Sequence, residues 1–421
     1  MQSSIKLRLT VMNFLQFAVW GAYLTSMGRY LGTAGFGSEI GNFYAMQGLV
    51  SLFMPALMGI VADRWIPAQR LLGLCHTFAG MLMLGVFLYT QTDAPSYPSL
   101  FALYSLSVAF YMPTLALSNS VAYTSLDQAG LDLVKSFPPI RVFGTVGFIC
   151  TMIAVSLLGL EATSGQFAVS AIISLVLAVY AQTLPNCPTA PKGQSKSLVE
   201  ALGLRAFVLF KQRKMALFFI FSMLLGVSLQ ITNGFANPFI STFGEIPAYA
   251  DTFGVKYANI LISLSQLSET LCILLIPFAL RRFGIRRVML IAMVAWVLRF
   301  ALLGLGNPGS GVWLFLLSMI VYGVAFDFFN VSGSLFVDKE TDPSIRSSAQ
   351  GLFMIMTNGI GATLGSLGAQ AVINRFVYSQ SEATAILSGW TTSWYIFAGY
   401  AAVVAVLFAL LFRYNTATEA K

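Results

Sequence analysis

The sequence predicts an all-α integral membrane fold of twelve transmembrane helices in two six-helix bundles, and three observations carry that prediction. Of its 421 residues 57% are hydrophobic and only 10% charged, whereas a soluble domain carries about a quarter charged residues to keep its surface wet. Apolar runs of about 20 residues recur from end to end, the length at which a helix crosses about 30 Å of hydrocarbon. A single long polar interval divides those runs six and six.

In chain order the runs cover residues 9–33, 40–61, 70–90, 98–120, 139–160, 167–184, 215–243, 257–280, 287–305, 312–337, 347–372 and 390–412. Their hydrophobicity is continuous, without the ten-residue alternation of an outer-membrane barrel, so strands are excluded. Gly interrupts many of them, and small residues let membrane helices approach closely. The stretch from Asn358 to Ser366 is such a surface. The polar interval, residues 185–214, opens with Pro185, Pro188 and Pro191 and closes with an apolar-spaced stretch from Leu198 to Phe210 before a basic cluster. That stretch is expected to lie as a helix along the cytoplasmic interface. The expected organisation is therefore a bundle at 1–184, a linker at 185–214 and a second bundle at 215–421.

The net charge of +8 is explained by position along the chain. Assigning alternate loops to opposite sides places 19 of the 24 Lys and Arg on one side, which makes both termini cytoplasmic by the positive-inside rule. No loop offers the solvated basic face a nucleic-acid partner would need. Cys75, Cys150, Cys187 and Cys272 show no CxxC spacing, and His76 is the single histidine; neither a disulfide framework nor a metal site is indicated. His76 itself reads as a polar residue near a helix end. Lys6 and Arg8 precede a run too long for a signal peptide, so the first helix is expected to remain uncleaved.

The two halves echo each other. Pro55 to Arg64 ends the second helix, and Pro277 to Arg287 ends the eighth. Parallel six-helix repeats joined by a cytoplasmic loop resemble the major facilitator superfamily, whose halves rock to expose a site alternately to each side. Gly59, Asp63, Arg64 and Arg70 resemble that superfamily's gating motif between helices two and three, although Pro67 and Ala68 stand where further glycine and arginine are usual.

Charges inside hydrocarbon cost several kcal/mol, so each is a functional candidate. Glu269 lies about 18 Å along helix eight and Asp327 about 22 Å along helix ten. Neither has a basic residue at i±3 or i±4. Removal from water favours the neutral form of a carboxyl, which suits a group that exchanges protons. The alternative is that these acids pair with Arg141 or Arg299 across helices. Arg299 has no polar companion on its helix face, and Arg141, after Pro138 and Pro139, could either serve the site or anchor a helix end. Gln230 and Asn233, Gln266 and Glu269, and Asp327 and Asn330 are each spaced i, i+3 and share a face. Amides suit neutral hydroxyl-rich ligands, and equally suit interhelical hydrogen bonds. Tyr322, Phe326, Phe328 and Phe329 beside Asp327, with Phe143 and Phe148 after Arg141, read as packing or as a stacking surface for a planar ring.

The segments from Ser136 to Phe148, Phe218 to Asn233, Ser265 to Leu271 and Val321 to Asn330 resemble those of the bacterial nucleoside:proton symporters within that superfamily, over residues 10–412. The resemblance implies a secondary active transporter that imports nucleosides by proton symport. It implies a substrate site of Arg141, Thr145, Phe148, Gln230, Asn233, Gln266, Glu269, Tyr322, Phe326 and Asp327, with Glu269 and Asp327 coupling to protons. The alternatives are a xanthosine or a sugar or glycoside symporter of the same fold. The expected partners are a nucleoside, protons and membrane lipids, with no nucleic acid, no metal and no cofactor beyond the coupling proton, in a protein that functions as a monomer. Its expected place is the bacterial inner membrane. No HExxH, GxSxG or Walker loop supports an enzyme; a sensor that binds without transporting is a further alternative.

Overall fold

The computed structural model describes residues 2–189, 204–343 and 345–414, which are helical throughout with no strand among them. In chain order the helices are α1 Gln2–Gly21, α2 Met27–Thr33, α3 Ile40–Ser51, α4 Met54–Arg64, α5 Ala68–Tyr89, α6 Tyr97–Gln128, α7 Leu133–Leu157 and α8 Gly165–Ala181. After the polar interval come α9 Arg213–Thr242, α10 Ala258–Leu305, α11 Val312–Glu340, α12 Arg346–Met354, a π-helical stretch Ile355–Gly361, α13 Ala362–Phe376 and α14 Ala383–Leu411. Among the described residues nine helical stretches are long and apolar enough to cross a membrane, and Gly165–Ala181 is a shorter apolar helix. The fold is that of an all-α membrane protein.

Several expected segments are subdivided. The run at 9–33 is broken by turns between α1 and α2, and the run at 40–61 by a turn between α3 and α4. The runs at 257–280 and 287–305 are the two helical limbs of α10, parted at Gly284, whose φ of 74° and ψ of 165° are not helical. Only glycine adopts that φ without strain. Of the expected interfacial helix, residues 198–203 lie outside the described residues. Leu204–Lys211 is a 3₁₀ helix that buries Ala206 and Leu209 and exposes Phe207 and Val208.

Packing groups the chain into two compact units. In the first, residues up to Tyr30 and from Leu49 to 189 pack together. There α1 lies along α7 and α8, and α5 along α6 and α8, over a core that includes Leu71, Leu72, Val121, Leu126, Ile140 and Leu177. In the second unit, Leu31–Gly48 packs with the chain from Leu204 onward. Gln370 of α13 holds that segment, accepting from the Gly41 N–H at 2.5 Å and donating to the Gly37 carbonyl at 3.0 Å. In the same unit α10 packs on α11 and α14, and α9 lies against the π-helical stretch and α13.

Candidate functional site

The second unit gathers its polar groups on α9, α10 and α11. Close approach of α10 and α11 is set by Gly323, where an added Cβ would lie 2.5 Å from the Ser268 carbonyl oxygen and 2.7 Å from Cys272 Sγ. That contact fixes the register at which Asp327, one turn beyond Gly323, stands within electrostatic reach of Glu269, one residue beyond Ser268. Asp327 is 5% exposed, and its Oδ2 has no hydrogen-bond partner among the described residues. It takes part in no ion pair among them. The expected alternative, an Asp327 neutralised by Arg299, is therefore not the arrangement found.

Arg299 is held otherwise. It is 2% exposed; its Nη1 donates to the Ser318 carbonyl at 2.9 Å and to Ser265 Oγ at 3.3 Å, and the guanidinium sits over the Tyr322 ring at 4.5 Å. Tyr322 stacks on Phe326, their rings 5.7 Å apart and 8° from parallel. On α9 the Asn233 amide donates to Gln230 Oε1 at 2.9 Å, with Gln230 buried. Such a pair leaves the Gln230 amide N–H groups and the Asn233 oxygen to meet a ligand. Gln266 and Glu269 are half-buried on α10.

One polar pair was not singled out in the sequence: Asn237 of α9 donates to Asn259 Oδ1 of α10 at 2.9 Å, both fully buried. Asn237 lies i+7 from Gln230, and Asn259 i−7 from Gln266, so amides continue along one face of each helix. That periodicity was the available signal.

In the first unit α7 begins at Leu133, earlier than expected, so Arg141 lies in its third turn instead of at its start. Its guanidinium covers the Phe17 ring at 4.0 Å. Phe148 is buried and meets Trp20 edge-on at 6.3 Å; Thr145 is half-buried between them along the helix. Gly147 backs directly onto the Phe14 backbone, so no larger residue fits where α1 and α7 meet. His76 is in the third turn of α5, fully buried, not near a helix end. Its Nε2–H donates to Gln16 Oε1 at 2.8 Å, because a carbonyl oxygen only accepts. Gln16 donates on to Thr114 Oγ1 at 2.7 Å, and Ser174 Oγ lies 2.9 Å from His76 Nδ1. Of the expected gating residues, Gly59 faces open space, Asp63 is half-buried, and Arg64 and Arg70 are exposed at the α4–α5 turn.

A helical membrane fold with a buried carboxylate, Asp327, and paired amides at mid-helix defines a secondary transporter of the major facilitator type. The family model described as nucleoside H+ symporter matches residues 3–417, and the chain belongs to that family. It is similar to the xanthosine permease of Escherichia coli K12, 50% identical over 98% of this chain and 97% of that protein. The nucleoside permease NupG of the same organism is 47% identical over the same shares of the two chains. The crystal structure of NupG superposes with a TM-score of 0.89 at 46% identity, covering 98% of this chain and 100% of that one.

Proposed function

We propose that the protein imports nucleosides across the bacterial inner membrane by symport with protons, through alternating access of a twelve-helix, monomeric carrier with both termini cytoplasmic. The observation that carries this reading is the presence, in one unit, of a buried Asp327 with Glu269 in electrostatic reach and of the hydrogen-bonded Gln230–Asn233 pair. Amides match the donors and acceptors of ribose and base, and Tyr322 with Phe326 offers a flat aromatic surface. Arg141, Thr145 and Phe148 are proposed as further substrate contacts, Glu269 and Asp327 as the groups that take the proton, and Gly59, Asp63, Arg64 and Arg70 as the gating turn. No cofactor beyond the proton is required by this scheme.

The test is uptake of labelled uridine or adenosine into proteoliposomes under an imposed pH gradient. Accumulation above the equilibrium level is expected; uptake that stops at equilibrium would reject proton symport. The 50% identity to a xanthosine permease favours one second reading, xanthosine as the preferred nucleoside. Competition of uridine uptake by xanthosine, free bases and free ribose separates that reading from the first and from a sugar carrier.

A further inference from the structure

Arg299 ties three stretches of helix together. It lies on the second limb of α10, and its Nη1 donates to Ser265 Oγ of the first limb at 3.3 Å and to the Ser318 carbonyl of α11 at 2.9 Å. Ser318 donates in return, from its hydroxyl to the Arg299 carbonyl at 3.0 Å. Ser265 immediately precedes Gln266, and Ser318 lies one turn before Tyr322, so these bonds end beside two of the proposed substrate contacts. The guanidinium itself covers the Tyr322 ring at 4.5 Å. Trp296, three residues earlier on the same limb, meets that ring edge-on, at 5.9 Å and 87°. Tyr322 in turn lies 8° from parallel to Phe326, one turn further along α11, with ring centres 5.7 Å apart. A cation over a ring face and a ring edge against it are both directional contacts, so together they fix the tilt of Tyr322. Tyr322 is buried, whereas Phe326 is half-buried. Phe326 is therefore the ring of the pair with surface left open to a ligand.

We propose that Arg299 is a positioning residue for recognition of the nucleobase: with Trp296 it holds Tyr322 in one orientation, and Tyr322 backs Phe326, on which the base stacks. This rests on the nucleoside reading above. Arg299 forms no ion pair among the described residues, and a guanidinium buried in that way costs stability that an apolar side chain of similar volume would not. An apolar side chain would fill the space. It would supply neither the planar donor group directed at Ser265 and Ser318 nor the positive charge over the ring. A stacking surface fixed before the ligand arrives spares the loss of side-chain freedom on binding, so affinity rises with no new contact to the ligand. Arg299 acts through Tyr322 and Phe326 and needs to touch no part of the nucleoside.

The experiment measures equilibrium binding of labelled uridine to the purified full chain in detergent, with the melting temperature recorded for each variant. Arg299→Gln is expected to weaken binding about tenfold, and Arg299→Lys, which keeps a cation over the ring, to recover part of that loss. In a Phe326→Leu background Arg299→Gln is expected to cost less than about twofold, because the surface it positions is gone; such non-additivity marks residues that act through one another. Unchanged affinity in Arg299→Gln, or an equal loss in both backgrounds, would overturn the assignment whatever the melting temperature does. Should Arg299→Gln fail to fold, Ser265→Ala removes one acceptor from the guanidinium. That variant is expected to weaken binding about threefold, and to do so only while Phe326 is present; a loss in neither background, or the same loss in both, would overturn the assignment. A wild-type chain that binds none of uridine, adenosine and xanthosine would bring down the nucleoside reading, an outcome distinct from wild-type binding that the variants leave unchanged.

Discussion

The two units treat buried ionisable groups differently. In the first, the one histidine is closed into a neutral network: His76 joins Gln16 and Ser174, and Gln16 joins Thr114. The buried acid Glu161, 3% exposed, pairs with Arg29 at 3.3 Å and accepts from Ser156. In the second unit, Asp327 keeps an oxygen without a partner, and Arg299 a Nε–H, among the described residues. A satisfied network stabilises one arrangement, whereas buried charge without an ion pair is retained at a cost in stability. The contrast divides a scaffold from a site in which charge changes during the cycle.

The largest expected effect tests that division directly. Asp327→Asn or Glu269→Gln should reduce uridine accumulation in proteoliposomes to the equilibrium level, with at least one of them still catalysing exchange. Full uphill uptake by both variants would place the coupling group elsewhere. Next in size is Gly323→Ala, whose Cβ would press on the Ser268 carbonyl and Cys272 Sγ. Overpacking of this kind costs about 1–3 kcal/mol. A lower melting temperature in detergent is expected, together with slower uptake, because α10 and α11 must shift and Glu269 with Asp327 ride on them.

In the first unit the corresponding prediction separates stability from coupling. His76→Leu strands the Gln16 oxygen and removes a partner of Ser174, at a cost of about 1–3 kcal/mol. The melting temperature should fall while the pH dependence of uptake keeps its midpoint. A displaced midpoint would mean that the buried histidine titrates during transport and that the units are not divided as described.

Helix location was legible in the sequence because crossing hydrocarbon demands long apolar runs, and every such run holds helix. Not every break was. Residues 22–26 contain neither Gly nor Pro, whereas the break at Gly284 falls in the basic interval expected between the runs at 257–280 and 287–305. Spacing correctly placed Gln230 beside Asn233, since i, i+3 neighbours meet by helix geometry alone. Partners on different helices were beyond that reach. Arg299 showed nothing polar on its own face, yet Ser318 comes from α11 and Ser265 from the other limb of α10. Asn237 and Asn259 lie 22 positions apart and meet only once α9 packs on α10. His76 was misplaced because its helix starts at Ala68, behind Pro67, before the apolar run begins.

The smallest expected effect lies outside the spans, where charge meets water. Lys256 and Asp251 approach to 2.8 Å with both side chains well exposed. The ammonium beside Asp251 holds its carboxyl below the usual range, through a hydrogen bond first and charge second. A depressed carboxyl contributes stability above its unfolded-state value, near pH 4, and loses it as pH falls through the lower folded value. Water and salt screen an exposed pair of this kind at physiological ionic strength. Lys256→Ala should therefore leave the melting temperature at pH 7 within experimental error and uptake unchanged. A loss approaching that of His76→Leu would show that the loop before α10 bears on the site. Exposed charge would then matter as much as buried charge, against the contrast between the two units.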